Sequence, residues 1–318
     1  MSDKAIAVGL VGAGVWGRAY IRTIDRMPGV ELAMLASSHP ESAGLVRPGC
    51  VLRSEWRDLV SADVIDGLIV ATPPASHAEI ASEGIEAGKA VLVEKPLTLS
   101  VSEARSLLDT ARRHNAFVMV DHTHLYHPAF ESLVERLRNA NATVTSIIAN
   151  AGADGPFRHD TSVLWDWGPH DIAMCLAVLG CLPVGIHAAR LEQRDTERGC
   201  GETVQIELEF SAGQAASITV SNLLAAKQRR FEVDTRGATY TYDDQSEPNL
   251  AILDKATDRL ESVAVDPVMP LTRVVETFAE GIRRGSQDRT GLEMGADIVA
   301  ILATCQQQLD SAVSGDPR

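Results

Sequence analysis

The chain has 318 residues, 45% of them hydrophobic and 23% charged, and a formal net charge of −14 at pH 7. That length exceeds what one hydrophobic core usually serves, so two domains are expected, and a surface this acidic repels nucleic acid and anionic lipid, which argues against either as a partner. No apolar run is long enough to span a bilayer, no export signal is visible, and five scattered cysteines (Cys50, Cys175, Cys181, Cys200, Cys305) lack ligand spacing, as expected of apolar fillers in a reducing cytoplasm.

The first third alternates short apolar runs with helical stretches. Ala5 to Val11 reads as a strand buried on both faces. A helix over Val15 to Met27 follows, ended by Pro28-Gly29. Strands are expected at Val30 to Ala36, Val51-Leu52, Gly67 to Ala71, Ala90 to Val93 and Ala116 to Val120. Helices are expected at Ser76 to Ala87 and Ser102 to His114. This alternation specifies a parallel sheet with right-handed crossovers.

Beyond Asp121 the pattern changes. Helices are expected at Pro128 to Asn139 and Val163 to Leu179, with a strand at Thr143 to Ala149 between them. Strand-like runs follow at Val184 to Arg190, Thr203 to Phe210, Gln214 to Asn222, Arg229 to Thr235 and Ala238 to Tyr242. The alternating run ETVQIELEF suggests an antiparallel sheet with one covered face. Gln245 to Asp258 is polar and weakly patterned and reads as a mobile loop. Two helices close the chain, Leu271 to Arg284 and Leu292 to Leu309.

The segment Gly12-Ala13-Gly14-Val15-Trp16-Gly17 gives G-x-G-x-x-G directly after a strand and before a helix. Gly12 permits a tight turn and Gly14 lets a pyrophosphate approach the backbone. Gly17 lets the helix pack close to the sheet, with its N-terminus facing the phosphates. This context predicts dinucleotide binding. In the usual arrangement an acidic residue ends the second strand and binds the ribose diol. Here that region reads Ala36-Ser37-Ser38-His39, with no carboxylate before Glu41. Ser37 and Ser38 could accept a 2′-phosphate, so NADP is expected in preference to NAD.

Two further segments lie at the carboxyl ends of expected parallel strands, where open α/β sheets place ligands. One is Thr72-Pro73-Pro74-Ala75-Ser76-His77, the other Glu94-Lys95-Pro96. Lys95 could donate a hydrogen bond to a substrate oxygen at C4 of the nicotinamide. Further on, Asp166 and His170 stand at i, i+4. In a helix both would share one face. A histidine near a carboxylate suits a base that takes a hydroxyl proton. Pro169 counts against an undisturbed helix unless it lies in the first turn.

The run GLVGAGVWG, with ATPPASH, EKPLTLS and DWGPHD in that order, resembles the glucose–fructose oxidoreductase/inositol dehydrogenase (Gfo/Idh/MocA) family along nearly the whole chain. The resemblance implies a Rossmann doubly wound parallel sheet over residues 1–122. It implies an α+β domain with a mostly antiparallel open sheet over 123–318, the last helices packing back on the first domain. It implies that Lys95 and His170 act at the reacting carbon, with Asp166 binding substrate or supporting the histidine. Pro73, Pro74 and His77 would border the cofactor beside Thr72, and Glu94 would lie by the nicotinamide ribose. Tyr126, Arg158, Asp160 and Trp165 are assigned to substrate contacts. Where many members carry an asparagine–arginine sequence, this chain has Asp121-His122-Thr123-His124, a pattern similar to a branch acting on polysaccharide and nucleotide-sugar precursors.

The expected protein is a cytoplasmic NAD(P)-dependent dehydrogenase, a homodimer or homotetramer without metal, acting on a sugar, cyclitol or nucleotide sugar. A non-catalytic NADP(H) sensor is the alternative from another class, though it has no need of Lys95, Asp166 and His170. A metal hydrolase built on His122, His124, His127 and Asp121 is disfavoured, because residues at i, i+2 on an extended segment point to opposite sides.

Overall fold

The computed structural model describes residues 5–158 and 161–314, and the chain divides into two compact units. The first takes in the chain up to Thr123 and resumes with Met269–Val299. The second comprises His124–Val268 and the chain from Ala300 onward.

The first unit runs β1 (Ile6–Val11), α1 (Val15–Ile24), β2 (Val30–Ala36), β3 (Val51–Arg53), α2 (Arg57–Val60), β4 (Gly67–Val70), α3 (His77–Glu86), β5 (Ala90–Glu94), α4 (Val101–His114) and β6 (Val118–Asp121). The six strands form one parallel sheet in the order β3-β2-β1-β4-β5-β6. This is the doubly wound order, whose direction reverses between β1 and β4 and opens a crevice there. β1, β4 and β6 are buried at every position, which explains why they read as unbroken apolar runs rather than alternating ones. α1 presses Tyr20, Ile21 and Ile24 inward. α4 starts at Ser100, whose hydroxyl accepts from the Glu103 N–H at 3.5 Å, and ends at Asn115 in the left-handed region.

The second unit contains α5 (Pro128–Asn139), β7 (Val144–Asp154), α6 (Val163–Leu179), β8 (Gly185–Thr196), β9 (Gly199–Glu209), β10 (Ala215–Ser221), β11 (Leu223–Thr235), β12 (Ala238–Asp243), β13 (Leu250–Asp254) and β14 (Arg259–Val263). Its eight-stranded sheet has the order β14-β13-β12-β11-β7-β10-β9-β8. Only β7 and β10 pair in parallel; the other neighbours are antiparallel. Val204, Ile206, Leu208, Ala216, Ile218, Val220, Phe231 and Val233 fill the covered face. α6 packs there against β7, β9 and β10, and α5 against β12 and β13. The opposite face carries hydrogen-bonded polar residues such as Gln205, Glu207 and Ser217. The chain then forms α7 (Pro270–Arg283), which packs on α1 and β1, and α8 (Thr290–Ser314).

Two expectations need correction. The mobile loop over Gln245–Asp258 is instead the turn into β13, β13 itself, and the turn before β14. Leu250 and Ile252 alternate inward there, a pattern only five residues long and masked by its polar flanks. In addition, α6 runs through Pro169, well past its first turn. The helix loses the bond to the Trp165 carbonyl at that point, yet twelve of its residues are buried and hold it helical.

Leu250→Ala is expected to lower unfolding stability by about 2–5 kcal/mol in chemical denaturation, as for a core position. A change below about 0.5 kcal/mol, typical of surface loops, would restore the loop reading.

Candidate active site

In the first unit the site begins at the glycine turn. Gly12 has φ +101°, and a side chain there would put its Cβ 2.5 Å from the Ala71 carbonyl oxygen. A Cβ on Gly17 would lie 2.1 Å from the Gly12 carbonyl oxygen. Both positions admit glycine alone. A Cβ on Gly14, by contrast, would meet nothing within 4 Å, so the middle of the turn is open and exposed at the N-terminus of α1. Tight ends and an open middle fit a pyrophosphate against the backbone. Val15 is exposed on the same turn and Trp16 is half-buried.

The end of β4 stands beside the turn, and Thr72 to Ser76 leave it. The Ser76 hydroxyl donates to Thr72 Oγ1 at 2.7 Å. Pro73 is exposed and Pro74 half-buried. His77 is fully buried, with Nε2 2.8 Å from the Thr72 carbonyl and Nδ1 2.9 Å from that of Pro96. Burial pushes its pKa down, so the neutral ring serves one carbonyl at a time. His77 thus fastens the β4 end to the segment that carries Lys95. Glu94 is also buried, and its Oε2 accepts from the Lys95 N–H at 3.2 Å.

The end of β2 contains no carboxylate. Ser37 Oγ lies 2.8 Å from Ser42 Oγ and accepts from the His39 N–H at 3.2 Å, while Ser38 is exposed. Sequence reading missed Arg53, the β3 partner of Ala36, whose carbonyl accepts from the Ser37 N–H at 2.9 Å. It lies on a strand only three residues long, without a pattern of its own.

In the second unit α6 carries Trp165, Asp166, Trp167, His170 and Asp171. Asp166 and His170 are one turn apart on one face, as the i, i+4 spacing requires. Asp166 pairs with Arg158 at 3.4 Å, and Trp165 donates from Nε1 to Gln306 at 3.2 Å. His170 is buried and meets the His124 ring edge-on, with centroids 4.9 Å apart. His124 Nδ1 lies 3.0 Å from the Tyr242 hydroxyl. Tyr126 is half-buried on the short turn before α5. Asp160 lies outside the described residues.

Two fasteners set α6. The Glu202 carboxylate on β9 accepts from the Val163 N–H at its first turn and from Arg190, each at 3.2 Å; a negative charge at a helix N-terminus is favourable. Behind His170, the buried Asp171 accepts from Arg229 Nη1 at 3.0 and 3.1 Å. Burial raises the Asp171 pKa while the Arg229 charge opposes it. Neither fastener was visible in sequence, because Glu202 and Arg229 read as ordinary strand charges.

No group of three or more His, Cys, Asp or Glu side chains among the described residues is placed to hold a metal. No described helix is long and apolar enough to cross a membrane.

Residues 6–122 match the model of an oxidoreductase family with an NAD-binding Rossmann fold, and residues 138–241 match the GFO/IDH/MocA C-terminal domain. The solved structure of a putative oxidoreductase from Magnetospirillum magnetotacticum is 37% identical, with a TM-score of 0.88, over 95% of this chain and 100% of that one.

The chain belongs to the Gfo/Idh/MocA oxidoreductase family.

Inositol 2-dehydrogenase of Rhizobium meliloti is 24% identical over 76% of this chain and 72% of its own length. UDP-N-acetylglucosamine 3-dehydrogenase from Acidithiobacillus ferrooxidans shares the fold at 22% identity, with a TM-score of 0.82 over 96% of this chain and 98% of that one. The family is one of oxidoreductases with an NAD-binding Rossmann fold.

One consequence is measurable without substrate. Burial lowers the His122 pKa to about 4, against about 6.5 in an unfolded chain. Between those values the unfolded chain binds the proton and the folded one does not. Stability is therefore lost as pH falls from 6.5 towards 4, by up to about 3 kcal/mol. His122→Phe should improve relative to the parent by that amount between pH 7 and pH 4. A stability difference independent of pH would contradict the assignment.

Proposed function

We propose that the protein is an NAD(P)-dependent dehydrogenase acting on a secondary alcohol of a sugar, cyclitol or nucleotide sugar. The observation that carries this reading is the glycine turn, tight at Gly12 and Gly17 and open at Gly14, in a chain that also keeps Lys95, Asp166 and His170. A nicotinamide, when bound, supplies the hydride acceptor for the alcohol carbon.

The backbone from Gly12 to Gly17, with Val15 and Trp16, holds the pyrophosphate. Thr72, Pro73, Pro74, His77, Glu94 and Lys95 border or fix the nicotinamide half. Lys95 donates a hydrogen bond to the substrate oxygen and orients the alcohol. His170 takes the hydroxyl proton, and its burial limits competition from water. Asp166, one helical turn from His170, and its partner Arg158 carry opposite charges suited to sugar hydroxyls. Tyr126 and Trp165 complete the substrate contacts, and Asp160 is assigned to them on sequence alone.

NADP is preferred over NAD in this reading. No carboxylate at the β2 end repels a 2′-phosphate, and Ser37 and Ser38 offer hydroxyls. The substrate class draws on the relatives named inositol 2-dehydrogenase and UDP-N-acetylglucosamine 3-dehydrogenase.

Fluorescence titration should give a lower Kd for NADPH than for NADH; the reverse order would refute the preference. Lys95→Ala should reduce kcat at least about 100-fold while NADPH still binds. Near-normal turnover would remove Lys95 from the chemistry.

A further inference from the structure

Two carboxyl side chains are buried together at the ends of neighbouring strands. Glu94 closes β5, Asp121 closes β6, and the two are register partners. α1 brings a third group. The fully buried Tyr20 hydroxyl donates to Asp121 Oδ2 at 2.5 Å. Thr123 donates from Oγ1 to Asp121 Oδ1 at 2.7 Å. Each oxygen of Asp121 therefore accepts from a hydroxyl. Glu94 is served differently. Its Oε2 accepts from the Lys95 N–H at 3.2 Å, and its Oε1 is buried with no hydrogen-bond partner.

Two adjacent carboxylates out of water cannot both remain ionised. The proton belongs on the group whose anion is worse served, because an unsatisfied charged oxygen carries the full desolvation cost. That group is Glu94. Burial drives its carboxyl well above the ordinary range, the Asp121 charge adds to this, and Lys95 opposes it. Burial also raises Asp121, against the hydrogen bonds from Tyr20 and Thr123 and the charge of Lys95. Tyr20 is raised well above its usual value by burial and then by Asp121, so it remains a donor. The other titratable groups nearby are His77 from α3 and His122 just after β6. Burial lowers both, leaving them neutral. Lys95 is the cation that acts on the carboxyl pair.

We propose that Glu94 is a neutral acid at working pH and that Asp121 carries the charge, so that Asp121 is the positioning residue and counter-charge for Lys95. Glu94 acts as an uncharged link: its proton meets Asp121, and its Oε2 holds the Lys95 backbone. α1 closes this arrangement, because the helix that begins at the glycine turn also presents Tyr20.

The infrared spectrum of the full-length protein at neutral pH tests the protonation directly. The wild type should show the C=O stretch of a protonated carboxyl, and one carboxyl's worth of that band should vanish in Glu94→Gln. No such band in the wild type, or a band of full strength in Glu94→Gln, overturns the proposal. A kinetic arm rests on the dehydrogenase reading above. Asp121→Asn, isosteric but uncharged, should lower kcat by about tenfold or more while the Kd for NADPH changes less than about threefold. Circular dichroism confirms that the variant is folded. Unchanged kcat would remove Asp121 from the positioning role. A wild type without turnover would instead sink the dehydrogenase reading and leave the infrared result standing.

Discussion

The first unit depends on how closely three backbone segments approach one another at the glycine turn. Gly12 lies against the Ala71 carbonyl at the end of β4, and Gly17 against the carbonyl of Gly12 itself. Side chains at either point would push α1 away from the sheet. With α1 seated, Tyr20 reaches Asp121 and Gly14 is left open to solvent. One constraint thus leaves the middle of the turn open and closes the hydrogen-bonded cluster around Asp121. Backbone contact does this without any side chain at Gly12 or Gly17.

In the second unit two buried carboxylates link helix to strand. Asp171 on α6 meets Arg229 on β11, and Glu202 on β9 meets both Arg190 on β8 and the start of α6. A buried ion pair contributes little net stability against an apolar pair, but losing one partner is costly. Such pairs therefore fix one arrangement of helix against strand. Here they set the rotation and height of α6, and with it the direction in which Asp166 and His170 face. The cost of Pro169 inside that helix is offset by the same packing.

Much of this could be read in the residues. The strands of the first sheet appear as apolar runs because both faces are buried, and the glycine turn appears because its spacing has one physical purpose. The i, i+4 relation of Asp166 and His170 survived the proline. What escaped reading depends on pairing across the chain. The Glu94–Asp121 partnership is a matter of strand register, and Tyr20 is about a hundred residues from Asp121. No local pattern reports either. β13 was lost because two inward residues among polar neighbours make a weak signal, although the pairing with β12 and β14 decides it. Arg53 was lost for the same reason, since three residues of edge strand carry no period.

On the proposed function, the chain binds a nicotinamide dinucleotide and oxidises a secondary alcohol with it. The most direct measurement is absorbance at 340 nm (the reduced-nicotinamide band) with purified protein, oxidised dinucleotide and a panel of sugars, inositols and nucleotide sugars. A dehydrogenase forms the reduced dinucleotide with one of these classes, matched mole for mole by the carbonyl product. Failure of the protein to bind either dinucleotide, in either oxidation state, would contradict that reading.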